Sequence, residues 1–307
     1  MNVGPGNASN GFGSPTGADP ETSSLRPAPR AFYAAKGTAT RARSALWLLR
    51  AGPGGAPGLR ILFYHRISDE RDELAVTPRR FREQMEFLAA EGYKVVGVGR
   101  IAELLASGCV PPWTIGLSFD DGYADNAEHA LPVLERLRFE ATVFLPTAIV
   151  DGRASASWYG RQPAFLSWED VTGLDGGAFR FEAHTVTHPS LVSLSEEDAR
   201  EEIAGSKREL EEKLGRPVEV FSYPAGLYGA RDRRLVEEAG FRAAVTTEPG
   251  PNLPDGDPLL LRRIQVDPRD SLLDFRARIG GGHDQPLPLR SVYRRLRYGL
   301  EPASSRS

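Results

Sequence analysis

Two short islands carry the residue types that metal-assisted hydrolysis needs, Ser118-Phe119-Asp120-Asp121-Gly122 and His184-Thr185-Val186-Thr187-His188. One carboxylate and two imidazoles suit a divalent ion, and the adjacent carboxylate is left free to act as a base. Taken singly, neither island decides the matter. Paired acids commonly face solvent or cap a helix, and paired histidines also serve as structural hydrogen-bonding groups. The helical metalloprotease pattern is excluded, because Thr185 stands where it requires Glu and Pro189 closes the segment. The acid pair gains weight from its surroundings: residues 114–119 read as a core strand and Gly122 follows at once, so both carboxylates sit on the sharp turn that ends it.

The elements that must position these islands alternate along the chain. Strands are expected at 59–65, 93–98, 114–119, 141–145, 179–183, 218–223, 242–246 and 260–266, and helices at 78–91, 100–106, 125–137, 167–174, 196–214 and 232–239. Ser195 is placed to cap the long helix and Gly215 to end it. Repeated strand and helix in this order predicts an α/β fold, a distorted (β/α) barrel of seven or eight mainly parallel strands. Active groups in such barrels sit at the C-terminal strand ends, where both islands fall.

With 40% hydrophobic and 26% charged residues in 307, the chain can bury a full core and reads as a soluble globular protein. A net charge of −3 gives no reason to expect nucleic acid as a partner. Cys109 is the only cysteine, which excludes an intrachain disulfide and a cysteine zinc site, and it reads as a small, partly buried residue. No run approaches the roughly 20 apolar residues that span a bilayer, and the start of the chain lacks the apolar core of an export signal. Residues 1–30 read as a disordered tail, 31–58 as a basic segment with a Gly/Pro linker, 59–280 as the folded domain and 281–307 as a basic tail. Segment 31–50 fits a basic amphipathic helix, either lying on a membrane surface or packed outside the domain with its charges in water. The basic C-terminal stretch offers the same two readings, peripheral membrane contact or a solvated face.

A third island, Phe221-Ser222-Tyr223-Pro224-Ala225-Gly226, ends the strand after the histidines. With Phe63-Tyr64-His65-Arg66-Ile67 near the start, a Glu-rich helix, Glu238-Ala239-Gly240-Phe241 and Leu261-Arg262-Arg263-Ile264, the region 59–270 resembles the polysaccharide deacetylases, the NodB-homology enzymes of carbohydrate esterase family four. The early-strand histidine is similar to the poly-β-1,6-N-acetylglucosamine deacetylase branch. The resemblance implies removal of acetyl groups from an N-acetylated glycan or sugar, one divalent metal ion (Zn²⁺, with Co²⁺ or Ni²⁺ as alternatives) on Asp121, His184 and His188, Asp120 as general base, and the Ala225 N–H as oxyanion donor. Gly226 would allow the tight turn.

Two departures from the family pattern matter. Ser222 stands where many members carry the Arg that orients the base, and Arg263 is the candidate to replace it, either on Asp120 or in a plain surface ion pair. The late histidine that protonates the leaving amine in many relatives is missing, since His283 sits in a Gly-rich stretch that reads as a flexible loop; His65 is the candidate acid, or else a hydrogen-bonding residue of the barrel mouth. Trp158, Tyr159, Trp168 and Tyr228 are expected near the mouth as sugar-stacking groups, or as packing, and Tyr223 as a substrate-binding residue. The rival readings are an O-acetyl esterase on the same scaffold and a catalytically weakened glycan-binding protein. The resemblance implies extracellular or envelope glycans, whereas the N-terminus reads as cytoplasmic.

Overall fold

The computed structural model describes residues 30–50, 57–156, 158 and 161–285. The expectations for residues 1–29, for most of the linker, for Tyr159 and for the basic stretch after 285 lie outside the described residues. In chain order the first half contains α1 (Arg30–Arg50), β1 (Arg60–Tyr64), β2 (Arg66–Ile67), β3 (Ala75–Val76), α2 (Pro78–Ala90), β4 (Lys94–Val96), α3 (Val98–Ala106), β5 (Thr114–Asp120), α4 (Leu131–Leu137) and β6 (Ala141–Leu145). The second half adds α5 (Thr147–Val150), α6 (Trp168–Leu174), β7 (Phe179–Ala183), α7 (Glu196–Leu214), β8 (Val220–Ser222), α8 (Ala230–Glu238), β9 (Ala243–Val245), β10 (Ile264–Gln265) and α9 (Leu272–Ile279). Among the described residues no helix is long and apolar enough to cross a membrane.

The main sheet runs β10-β1-β5-β6-β7-β8-β9, with β4 added to the start of β5, and its ladders are parallel. Its two edges approach each other through one parallel bridge, Val245 to Leu261, where the Leu261 N–H donates to Ala244 O and the Thr246 N–H to Leu261 O. The result is a curled, incomplete barrel. The strand expected over 260–266 shrinks to Ile264–Gln265 because Pro258 opens a short 3₁₀ turn at Pro258–Leu260, and proline donates nothing to a ladder. All seven residues of β5 are buried, as a strand covered on both faces must be. Packing there is close: a Cβ on Gly116 would meet Ile61 Cγ1 at 2.9 Å and Ile101 Cγ1 at 3.0 Å.

Helices cap and pack as their sequences dictate. Thr77 accepts the Arg80 N–H at 3.4 Å ahead of Pro78, and α2 buries Phe81, Gln84, Met85 and Leu88 on one stripe. Ser195 accepts the Asp198 N–H at 3.1 Å, and Gly215 ends α7 at φ 64°.

The packed body extends past the expected domain bounds on both sides. Helix α1 lies against α9. Ser44 is buried there between Asp274 Oδ1 at 2.7 Å and His283 Nε2 at 3.1 Å. Trp47 fills the space that side chains on Gly280 and Gly282 would occupy. His283 is therefore a buried residue and not part of a flexible loop, and Asp284 forms a two-bond fork with Arg60 at 3.0 and 2.6 Å. Cys109, past the end of α3, is exposed instead of partly buried.

Candidate metal centre and active site

Strand β5 ends in Asp120, and the chain then turns sharply: Asp121 takes φ 73° and Gly122 φ 71°. The second island follows β7 in the same way, with Thr185 at φ 69° and His188 at φ 62°. After β8, Ala225 takes φ 53° inside the Pro224–Gly226 turn. Four of the six non-glycine residues with positive φ among those described thus follow the C-terminal ends of β5, β7 and β8. Such conformations cost of order 1–3 kcal/mol each and persist only where the surroundings over-determine them. For the histidine segment Glu202 of α7 does this, its carboxylate accepting the Val186 and Thr187 N–H groups at 2.9 and 2.8 Å and the Thr187 hydroxyl at 2.6 Å.

These turns bring Asp121, His184 and His188 together. Asp121 Oδ1 lies 3.6 Å from His184 Nε2 and 3.5 Å from His188 Nε2. The spacing is that of ion pairs, but burial pushes both imidazoles down to about 4, aided at His184 by the neighbouring His188, so they are neutral near pH 7. His184 Nδ1 is 2.7 Å from the Ser222 carbonyl, which can only accept, so the ring proton sits on Nδ1 and the Nε2 lone pair faces Asp121. Asp121 Oδ1 is buried without a hydrogen-bond partner. An unsatisfied carboxylate oxygen facing neutral imidazoles is a costly arrangement without a cation and a sound one with it, so these residues fit a divalent ion.

Asp120 stands apart from this cluster, tied to Arg263. The guanidinium is wholly buried and donates to Asp120 Oδ1 at 2.6 Å, Asp120 Oδ2 at 2.8 Å, Ser118 Oγ at 3.2 Å, Ser222 Oγ at 3.1 Å and Thr246 O at 2.9 Å. Its five N–H groups are all used. Phe63 and Phe144 lie against it at 4.5 and 5.4 Å. Burial works against the Asp120 carboxylate, but the Arg263 charge, followed by His184, outweighs it and holds the carboxyl at about 2. At Asp121 burial wins over the pull of His65 and His184, and the carboxyl is raised. The surface-ion-pair alternative for Arg263 is thereby discarded. Ser222 is small enough to leave room for a guanidinium arriving from the far end of the sheet.

His65 directly follows β1, half-buried, with its carbonyl accepting from Asn126 Nδ2 at 2.9 Å and its ring edge-on to that of Phe63 at 5.7 Å. In the Ala225 turn the internal bonds are donated by Gly226 to Tyr223 O at 2.8 Å and by Leu227 to Pro224 O at 3.0 Å; the Ala225 N–H takes no part in them. Gly226 is required, since a Cβ there would lie 2.5 Å from the Thr247 nitrogen.

The expected aromatic residues differ in their surroundings. Tyr223 is wholly buried, its ring against Phe221 and Tyr228 at 5.3 and 5.0 Å, so its side chain belongs to the core. Tyr228 is half-buried on that ring. Trp168 opens α6 with the Lys213 ammonium 5.8 Å over it, on the α6 and α7 flank. Trp158 touches the triad, its ring centroid 4.5 Å from that of His188. Its Nε1–H donates to Tyr123 Oη at 3.1 Å, and the Tyr123 hydroxyl reaches Asp121 Oδ2 at 3.0 Å. Tyr123 went unremarked in the sequence although it follows the Asp-Asp-Gly island directly.

A curled parallel sheet delivering a carboxylate pair and two histidines to its C-terminal mouth, beside a strained backbone turn, defines a hydrolase of the NodB-like deacetylase fold. A family model described as polysaccharide deacetylase matches residues 107–244. YxkH of Bacillus subtilis, provisionally named a polysaccharide deacetylase, is 28% identical over 234 residues, 76% of this chain and 79% of that protein. The poly-beta-1,6-N-acetyl-D-glucosamine N-deacetylase of Staphylococcus epidermidis is 24% identical over 208 residues, 65% of this chain and 70% of that protein. In fold, the solved structure of the Streptococcus pyogenes deacetylase PplD in complex with acetate is similar with a TM-score of 0.66 at 24% identity, over 74% of this chain and 99% of that one. Residues 107–244 thus match the polysaccharide deacetylases, and the similarity to YxkH over three quarters of the chain marks it as an enzyme of that class, a hydrolase of amide carbon–nitrogen bonds.

Proposed function

We propose that this chain removes N-acetyl groups from a polysaccharide of acetamido sugars, with one divalent metal ion, Zn²⁺ ahead of Co²⁺ or Ni²⁺, held by Asp121, His184 and His188. Bound there, such an ion supplies Lewis acidity, which polarises an amide carbonyl and acidifies water. Asp120 takes the proton of the attacking water. Arg263 keeps it ionised and fixed, and each carboxylate oxygen retains a lone pair beyond its bond to the guanidinium. The Ala225 N–H stabilises the charge that develops on the acetyl oxygen. His65 holds the proton for the leaving amine, which departs poorly without one.

The observation that carries this reading is the Asp120–Arg263 fork. It supplies what Ser222 lacks and removes the reason to regard the site as weakened. The name of the Staphylococcus epidermidis relative supports the N-acetyl substrate class. The test is mass spectrometry of N-acetylglucosamine oligomers and of an O-acetylated sugar incubated with the protein. Loss of acetyl from the N-acetylated oligomers, stopped by chelator and restored by Zn²⁺, is the expected result. Loss from the O-acetylated sugar alone would make it an esterase, and binding without loss from either would make it a glycan-binding protein.

A further inference from the structure

We propose that Trp158 and Tyr123 form a one-way hydrogen-bond relay that commits Asp121 to ligate its ion through Oδ1 alone. This rests on the metal reading of Asp121, His184 and His188. The direction of the relay follows from the groups themselves. An indole nitrogen only donates, so the bond from Trp158 Nε1 to Tyr123 Oη at 3.1 Å occupies a phenol lone pair. The single phenol proton is then left for Asp121 Oδ2, at 3.0 Å. A hydroxyl that accepts one bond donates a stronger one, so the indole tightens the grip on the carboxylate.

The two Asp121 oxygens are thereby made unequal. Oδ2 is engaged by the phenol, while Oδ1 is the buried, unpartnered atom that faces both imidazole Nε2 atoms. The phenol is well placed to enforce this because the ring cannot turn. It is wholly buried, stacked on Phe165 with centroids 5.0 Å apart and planes at 27°, and the Arg66 guanidinium lies 5.6 Å over it. Its backbone is pinned by Leu166 N–H to Gly122 O at 2.9 Å and Ala124 N–H to Ala164 O at 3.0 Å. Trp158 also lies against His188, so one side chain supports two of the three ligands from the same side. Tyr123 and Trp158 are positioning residues in this scheme.

The test uses Co²⁺ with the full chain, reading both affinity and the visible absorption spectrum of the bound ion. Tyr123→Phe removes one hydroxyl and should weaken Co²⁺ binding about 10–100-fold. It should also lower the absorption intensity, because a freed Oδ2 raises the oxygen count around the ion. Trp158→Phe should change both readouts in the same direction by less. The double variant should bind no more weakly than Tyr123→Phe, since the indole N–H acts through the phenol. Wild-type affinity and spectrum in Tyr123→Phe would overturn the relay, and so would losses that simply multiply in the double variant. Were Tyr123→Phe not to fold, an unchanged spectrum in Trp158→Phe would overturn it alone. Failure of the unaltered chain to bind Co²⁺ would instead sink the ligand triad and the relay together.

Discussion

Replacing Arg263 with Met tests the site most severely, because it removes all five bonds of a wholly buried guanidinium and leaves Asp120 charged and unpaired among aromatic walls. Breaking a buried pair from one side costs about 3–5 kcal/mol. In a domain of this size each kcal/mol lowers the melting temperature by about 2–4 °C, so a fall of roughly 6–20 °C is expected. Urea unfolding of Arg263→Met, Asp120→Asn and the double variant closes a thermodynamic cycle. The double should be less destabilised than the sum of the singles by at least about 2 kcal/mol, the sign of two groups that need each other. Catalysis should fall while metal content stays, since none of the three ligands is touched. Without Arg263 burial dominates at Asp120, its carboxyl moves up from about 2, and the acid limb of the rate profile shifts to higher pH. A loss under about 1 kcal/mol, the range of exposed ion pairs, or strict additivity in the cycle would refute the reasoning.

Asp120→Asn should keep the metal and lose at least about a hundredfold in turnover, as loss of a general base does; joint loss of metal and activity would make Asp120 a ligand. His65→Ala should depress hydrolysis of an N-acetyl sugar much more than that of an activated aryl acetate, whose leaving group needs no proton, and equal losses on both would leave His65 a positioning role. His283 bears on pH stability: burial, then the charges of Arg278 and Arg43, push it from its usual 6.5 down to about 3. The unfolded chain therefore takes up its proton first, and stability drains away as pH falls from about 6.5 towards 3. Unfolding free energies of wild type and His283→Gln across that window should converge on acidification, and parallel curves would reject the assignment.

The placement of the candidate site was largely legible because strand ends, Asp-Asp-Gly, the histidine pair and the Pro-Ala-Gly turn are local signals that survive in one dimension. Arg263 could be named from its place in the late strand segment, but its depth could not, since burial there depends on Ser118, Ser222 and Thr246 meeting from three distant segments. Tyr123 was missed for the opposite reason. A tyrosine after a turn glycine is ordinary packing until the direction of its hydroxyl is known. The surroundings of Tyr223, in the core, and of Trp168, at the start of α6, could not be read in advance, because strand and helix phase, and not residue type, decides which way a ring faces. Gly280-Gly281-Gly282 looked like a flexible stretch, yet Gly280 and Gly282 make room for Trp47 from a helix more than 200 residues earlier.

The guanidinium that balances Asp120 lies 143 residues further along the chain, beyond the stretch that the family model matches. At a synthesis rate of about 5–20 residues per second, roughly 7 to 30 seconds separate the emergence of the acid from that of its partner. During that interval a growing chain has the three ligands and the turn ahead of the counter-charge, so the first part of the sheet must leave Asp120 hydrated. Docking of the segment from Leu261 to Gln265 between β9 and β1 then completes the wall and the charge balance in one event. On the proposed reading, hydrolytic competence would arrive with the last strand, and a chain cut short before Arg263 would keep Asp121, His184 and His188 but leave Asp120 without its counter-charge.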